Sequence, residues 1–131
     1  AMIEKVSYDQ IYDEHVFIFS ALSVENAFSR YGFSLVDVIE QPTHGGSMRY
    51  VLARKGVREV SSRVLDVLRA EKSQGLHQPN TYVEFRIACE NSKKEILEVL
   101  NREKAAGKLV VGYGATSKST TSSATSLVPI K

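Results

Sequence analysis

The segment Tyr12–His15, which reads Tyr-Asp-Glu-His, holds the residues of this sequence best suited to proton transfer. An imidazole with its ordinary pKa of about 6.5 can accept a proton near neutral pH, so His15 is a candidate general base. Glu14 could orient that base or tune its charge, and the Tyr12 hydroxyl could hydrogen-bond a substrate oxygen. The alternative is that His15 and Tyr12 only pack between a loop and a helix, the more common role of a lone histidine.

A second candidate site lies in segment 43–47, which reads Thr-His-Gly-Gly-Ser and falls between two predicted strands. Gly45 and Gly46 free the backbone for a close approach of the other strand or of a ligand, and His44 could face a substrate there. A hairpin whose glycines satisfy only the geometry of the turn explains the same residues equally well.

A third candidate is the Gly-Tyr-Gly-Ala turn that starts at Gly112, after a predicted strand. The amides around Gly112 and Gly114 could face the oxygens of a diphosphate at a helix start. Lys118 would add a positive charge, and Ser117 and Ser119 would add hydroxyl donors. The fingerprint is weak alone, because no acidic residue about 20 positions later marks a ribose contact.

Together, with helical segments between them, these three motifs resemble the C-terminal part of the SAM-dependent C-methyltransferases that act on nucleotide-linked keto sugars. The resemblance covers residues 7–121. It implies that Tyr12, Glu14 and His15 line the sugar site, with His15 as the base that removes a C–H proton beside the ketone. It also implies that the turn at Gly112 belongs to a lobe that helps to hold the nucleotide sugar.

The residues that carry the resemblance do not include a binding site for the methyl donor. In the family, the glycine-rich strand-to-helix turn that holds S-adenosylmethionine lies upstream of these motifs, and nothing before Tyr8 supplies one. We therefore expect part of a methyltransferase, with no cofactor in the isolated chain and no activity alone. The family would continue beyond the Ser/Thr-rich tail as a helix and a further lobe, so we expect either a gene shortened at its 3′ side or a boundary imposed on the expressed protein. A non-enzymatic, self-associating α/β interaction module is the alternative, and a subunit completed by another chain is a third possibility.

Composition excludes several classes of protein. Among 131 residues, 17 Lys and Arg against 15 Asp and Glu give a net charge of +2, so we expect neither nucleic acid nor membrane as a partner. No run approaches the roughly 20 apolar residues of a transmembrane helix, and no signal peptide is evident, so a cytoplasmic location is expected. Cys89 is the single cysteine, which rules out an internal disulfide and a cysteine-based zinc site, and no metal is predicted.

The apolar periods predict an α/β fold. By resemblance, it joins a short antiparallel strand pair, the end of a class I methyltransferase sheet, to a helical hairpin and the first strand of a Rossmann-like lobe. We predict strands over 33–40, 47–54 and 108–112, and helices over 21–31, 58–73 and 82–106. Ser20 should cap the first helix, and Thr81 with Glu84 should form a capping box at the start of the last. The expected helix stops are Gly32, Gly75 and Gly107. The predicted domains are the end of the methyltransferase core (1–56), the helical segment with the start of the lobe (57–121) and a Ser/Thr-rich tail (122–131).

Apolar stripes on the helices should face the interior. They are Val24, Ala27, Phe28 and Tyr31 on the first helix, and Phe85, Ala88, Cys89, Ser92, Ile96, Val99 and Leu100 on the last. Because an isolated strand pair is marginal in water and an open edge invites pairing, we expect a homodimer or higher homo-oligomer. The contact would use the strands, the long helix or an exchange of the two, and a nucleotide sugar is the expected ligand.

Overall fold

The computed structural model describes residues 2–11, 15–43 and 46–111. Within them the fold is α/β, with a two-stranded antiparallel sheet and three α-helices, as predicted. The chain divides into two compact units, one formed by residues 18–82 and one by the residues on either side. The elements in chain order are a 3-10 helix (Tyr8–Gln10), α1 (Ala21–Ser29), β1 (Phe33–Gln41), β2 (Ser47–Arg54), α2 (Ser62–Ser73) and α3 (Pro79–Ala105).

Helix α1 begins at the predicted cap. The Ser20 hydroxyl accepts the Ser23 N–H at 3.1 Å, and the Ser23 hydroxyl accepts the Ser20 N–H at 2.8 Å, which is a reciprocal capping box. The helix ends at Ser29, two residues earlier than predicted. Gly32, with φ of +80°, then lets the chain leave the helix and enter β1, which confirms its role as a stop.

The apolar stripe predicted for α1 is wrong in its second half. Val24 is buried, but Phe28 is 40% exposed and Tyr31 is 79% exposed. Tyr31 lies beyond the end of the helix, so the helical period no longer places it above Val24. The first turn makes the packing contact instead, with Ala21 buried against the core.

Strands β1 and β2 pair in an antiparallel register that runs from Phe33 opposite Arg54 to Gln41 opposite Ser47, which confirms the predicted hairpin. The register shifts between Leu35 and Asp37, where Val36 forms a bulge. The bulge adds one residue, so Val36 and Asp37 follow Leu35 before the next core-facing side chain.

The core of unit 18–82 lies between one face of the sheet and helices α1 and α2. Its buried members are Ala21, Val24, Leu35, Val38 and Val64, with Met48, Tyr50, Leu52, Val67 and Leu68 partly buried against them. Leu35 lies opposite Leu52 in the register, and Val38 lies opposite Tyr50. These cross-strand pairs place the sheet's apolar side chains on the face that the helices cover.

Helix α2 begins at Ser62, four residues later than predicted. The reason is a bond outside the helix, because the Ser61 N–H donates to the Val36 carbonyl at 2.9 Å and holds this segment extended along β1. Val60, which lies inside the predicted helix 58–73, consequently precedes α2 and is 44% exposed. The end is as predicted, with Gly75 at φ of +72° after the last turn.

Helix α3 begins at Pro79, three residues earlier than predicted. Thr81 lies inside the helix, and its hydroxyl donates to the Gly75 carbonyl at 2.8 Å, so the predicted capping box of Thr81 with Glu84 is wrong. Proline fits a first helical turn because its missing N–H has no intrahelical partner there. Gly107, with φ of +74°, ends the helix as predicted.

No residue of α3 is buried. The prediction that its apolar stripe faces the interior is therefore wrong, and Ile96 and Val99 are 42% and 46% exposed. The remaining members of the stripe are only partly covered: Phe85, Ala88, Cys89, Ser92 and Leu100. A helical period identifies an amphipathic helix, but it does not supply the surface that covers it.

The strand predicted over 108–112 is absent from its described part, residues 108–111. Leu109 and Val111 are 88% and 71% exposed. A strand requires a neighbour for its N–H and C=O groups, and none pairs with this segment among the described residues. None of the described helices combines the length and apolar character needed to cross a membrane.

Candidate functional site

His15 is exposed, and its ring is oriented by the backbone. Its Nδ1 atom lies 2.8 Å from the carbonyl oxygen of Gln10. A carbonyl oxygen only accepts hydrogen bonds, so this contact assigns the proton to Nδ1 and leaves the lone pair of the neutral ring on Nε2. One nitrogen is thus anchored while the other has the electronic form that a general base requires.

The Gln10 carbonyl is itself placed by a series of turns. The Ser7 N–H donates to the Met2 carbonyl at 3.0 Å, and the Ile11 N–H donates to the Tyr8 carbonyl at 3.0 Å across the 3-10 helix. Val6 has φ of +51°, a conformation that β-branched residues rarely adopt. These bonds hold the strained backbone and fix where the carbonyl that orients His15 lies.

Most of the predicted site residues lie outside the described residues. His15 and Gly46 are described, whereas the following are not: Tyr12, Glu14, His44, Gly45, Gly112, Gly114 and Lys118. The roles assigned to these seven residues stay predictions, as does the expectation that His15 and His44 share one cleft.

Gly46 is required by backbone conformation. Its φ is +128°, and its N–H donates to the Thr43 carbonyl at 3.1 Å. A Cβ atom added at Gly46 would meet no atom within 4 Å apart from those of its two chain neighbours, so no neighbouring strand requires a glycine there. Of the two readings of this turn, close approach of the partner strand is not supported at Gly46, and turn geometry is.

The sequence analysis missed a charged cluster around Asp37, which is 9% exposed on β1. Its carboxylate accepts hydrogen bonds from Arg63 at 2.6 and 3.1 Å, from the Ser61 hydroxyl at 2.8 Å and from the Val38 N–H at 2.9 Å. The Arg63 bonds, followed by the Ser61 bond, lower the pKa of Asp37 to about 2. The available signal was an aspartate in the middle of an apolar strand.

This cluster holds neighbouring elements together and does not supply a general base. Four donors reach the two oxygens of Asp37, which is about the accepting capacity of a carboxylate. The contacts join the first turn of α2 to the bulge of β1. Because Asp37 is held as the anion, we interpret it as a structural group.

A second missed contact caps α1 from a distance. The Glu71 carboxylate on α2 accepts the Ala21 N–H at 2.9 Å and the Leu22 N–H at 2.8 Å. The anion-binding end of α1 is therefore filled by the protein's own carboxylate. Burial, followed by the charge of Glu71, raises the pKa of Tyr50 to about 12, and the Tyr50 hydroxyl donates to the Phe19 carbonyl at 3.2 Å.

Other chemistry is not assembled in the described chain. No group of three His, Cys, Asp or Glu side chains there could hold a metal ion. Burial, and secondarily the charge of Glu90, raises the pKa of Cys89, so its thiol stays protonated near neutral pH. Among the predicted site residues that the structure describes, His15 is an acid–base group whose ring is oriented by a hydrogen bond.

Comparison with known proteins identifies the family of the chain. The chain is 34% identical to the C-methyltransferase NovU of Streptomyces niveus over 118 residues. This alignment covers 89% of the chain and 28% of NovU. The chain thus spans less than a third of that relative's length. Residues 42–125, which include Gly46 and the segment predicted to turn at Gly112, match the family described as the C-methyltransferase C-terminal domain. The chain belongs to this family of C-methyltransferase C-terminal domains.

Proposed function

We propose that this chain supplies the acceptor side of a C-methyltransferase, and that the acceptor is a nucleotide-linked 4-keto-deoxysugar. His15 is the base that removes the proton from the carbon beside the ketone. The observation that carries this proposal is the 2.8 Å contact of His15 Nδ1 with the Gln10 carbonyl, because it leaves Nε2 as the accepting nitrogen.

The proton transfer balances on groups of this chain and the substrate alone. The C–H proton moves to Nε2 of His15, and the C–H electron pair becomes the enolate, whose charge spreads to the ketone oxygen. The imidazolium that forms is stabilised by its Nδ1–H bond to the Gln10 carbonyl, which strengthens once the ring is charged. The Tyr12 hydroxyl then bonds the substrate oxygen, and Glu14 orients the ring or tunes its charge.

The remaining predicted residues bind the substrate. The turn with His44, Gly45 and Gly46 meets the sugar, and open space beside the Gly46 Cα supports such an approach. The amides of Gly112 and Gly114, with Lys118, bind the diphosphate. The family match supports both assignments, since residues 42–125 include both turns.

S-adenosylmethionine, when bound, would supply the electrophilic methyl group. The described residues do not fit it, because β1 leads through the turn before Gly46 into the antiparallel β2, without a glycine-rich turn that opens a helix. We therefore propose that the 131-residue chain alone neither binds this cofactor nor completes methyl transfer.

Calorimetry of the isolated chain with each ligand tests the assignment. We expect saturable heat with a dTDP-linked 4-keto-deoxysugar and none with S-adenosylmethionine. Micromolar affinity for S-adenosylmethionine would contradict the proposed division of labour. Binding of neither ligand would favour the alternative, a protein module that associates without chemistry.

A further inference from the structure

The 3-10 helix Tyr8–Gln10 ends on a backbone carbonyl that a side chain caps. The Gln10 carbonyl accepts the Nδ1–H of His15 at 2.8 Å, across five positions of sequence. The last carbonyls of a helix have no partner within the helix, and histidine is one of the residues that can bond them. His15 is therefore the C-terminal cap of this helix as well as the candidate base.

The peptide group between Gln10 and Ile11 is held on both of its sides. The Ile11 N–H donates to the Tyr8 carbonyl at 3.0 Å, and the Gln10 N–H donates to the Ser7 carbonyl at 3.3 Å. Because the N–H and C=O of a trans peptide point in opposite directions, the Ile11 bond turns the Gln10 carbonyl away from the helix. The carbonyl then meets the ring of His15.

This bond sets the protonation of the ring as well as its direction. A carbonyl cannot donate a hydrogen bond, so it bonds only a protonated Nδ1 and disfavours the tautomer with its proton on Nε2. In the Ser-His-Asp triad, a carboxylate fills the same position beside Nδ1. Here the group that orients the ring is an uncharged amide.

We propose that the Gln10–Ile11 peptide is the positioning group of the base, and that the Ile11 N–H keeps His15 in the Nδ1–H tautomer by directing the Gln10 carbonyl. Ile11 is thus a positioning residue that acts through its backbone, although its side chain has no acid–base chemistry and is 48% exposed. The catalytic consequence rests on the proposed function, because that function gives Nε2 a proton to accept.

Nitrogen-15 NMR of the histidine rings tests the tautomer without any ligand. At pH 9 an ordinary imidazole is neutral, and the chemical shifts of its two nitrogens show which one carries the proton. The signals of His15 are those that disappear in His15→Gln. We expect the Nδ1–H form to predominate in the wild-type chain, and a ring that is mainly Nε2–H would overturn the proposal.

Two substitutions at one position separate the backbone from the side chain. Ile11→Pro removes the N–H and disfavours a helical conformation at Gln10, so the carbonyl should turn away from His15. The ratio of Nδ1–H to Nε2–H should then fall at least about fivefold, the factor that one ordinary hydrogen bond contributes. Ile11→Ala keeps the N–H and should keep the wild-type ratio. Equal ratios in the two variants would overturn the proposal.

A backbone ester in place of the Gln10–Ile11 amide makes the same test if proline disrupts the helix. The ester keeps the isoleucine side chain, removes the N–H and makes the Gln10 carbonyl a weaker acceptor, so a similar fall in the ratio is expected. The control is an ester that removes the Val57 N–H, which donates to the Arg54 carbonyl at 3.1 Å. A ratio that is unchanged by the ester at position 11 would overturn the proposal.

Deuterium exchange beside the ketone of a dTDP-linked 4-keto-deoxysugar distinguishes this inference from the proposed function. Exchange catalysed by Ile11→Pro should be at least about fivefold slower than that by Ile11→Ala, because the ring loses both its tautomer and its direction. If the wild-type chain catalyses no exchange, the proposed function fails, while the tautomer ratio still decides what orients His15. Equal exchange rates in two variants with different ratios would overturn the positioning role of Ile11.

Discussion

The core of residues 18–82 and the helical stretch 83–105 carry similar apolar patterns but are held differently. In the first, side chains distant in sequence meet, as Glu71 does with the first turn of α1 and Arg63 with Asp37. In the second, no residue is buried, and the ion pairs are local, such as Arg102 with Glu103. Polar contacts between distant residues, added to apolar burial, distinguish a packed core from a helix that still presents its apolar face.

The largest expected effect is a difference between the two regions in the free energy of unfolding lost when an apolar side chain is shortened. Leu35→Ala removes a side chain that is 2% exposed and should lower the free energy of unfolding by about 2–5 kcal/mol. Ile96→Ala, at a position 42% exposed on α3, should cost less than about 1 kcal/mol. Urea unfolding of both variants measures the difference, and equal losses would mean that α3 is as well packed as the core.

The next effect tests the distant cap. Glu71→Gln keeps the shape of the side chain but removes the charge that accepts the Ala21 and Leu22 N–H groups, so unfolding free energy should fall by about 1–2 kcal/mol. Glu98→Gln is the matched control on the exposed surface of α3, where a change within about 0.5 kcal/mol is expected. Thermal unfolding of the two variants at pH 7 would refute the cap if both gave the same midpoint.

The stability of the 18–82 core at low pH should depend on Asp37. Its folded pKa of about 2 lies below the ordinary value of 3.8, so its contribution to stability is present above pH 3.8 and is lost as the pH falls through about 2. The thermal midpoint of the wild-type chain should decline through this window, and that of Asp37→Asn should decline less. Parallel pH curves for the two proteins would show that the Arg63 pair is broken in solution.

The smallest expected effect is the titration of Tyr50 at higher pH than an ordinary tyrosine. The folded pKa of Tyr50, about 12, exceeds the ordinary value of 10.0, so the group stabilises the fold below pH 10 and loses that contribution as the pH rises through about 12. Absorbance titration should show the last tyrosinate step of the folded chain missing in Tyr50→Phe. A wild-type curve that matches the variant in that step would place Tyr50 in solvent.

The strand pair was predictable because its signals are local. The apolar, β-branched run that starts at Phe33 and the glycine turn before Ser47 gave both strands to within one residue. The start of α2 was missed because Ser61 bonds to Val36, 25 positions away, and that bond holds the chain extended. The start of α3 was missed because the Thr81 hydroxyl bonds to Gly75 rather than capping its own helix.

For the candidate site too, the sequence indicated the side chains but not the contacts that hold them. His15 could be proposed from the chemistry of its side chain and the sequence of its neighbours, but its orientation depends on the Gln10 carbonyl, which no sequence pattern indicates. Asp37 and Glu71 could not be assigned roles, because their partners are brought to them only by the packing of α1, β1 and α2. The type of side chain can be read from the sequence, whereas the contacts that anchor Asp37 and Glu71 depend on tertiary packing.

Deuterium exchange tests the role of His15 most directly. In heavy water, without a methyl donor, the wild-type chain should accelerate exchange at the carbon beside the ketone of a dTDP-linked 4-keto-deoxysugar, followed by NMR. His15→Gln should slow the catalysed exchange by at least about 100-fold, the usual contribution of a general base. His77→Gln, at an exposed histidine between α2 and α3, should leave the rate unchanged. Exchange catalysed equally by His15→Gln and the wild-type chain would contradict the assignment of His15 as the base.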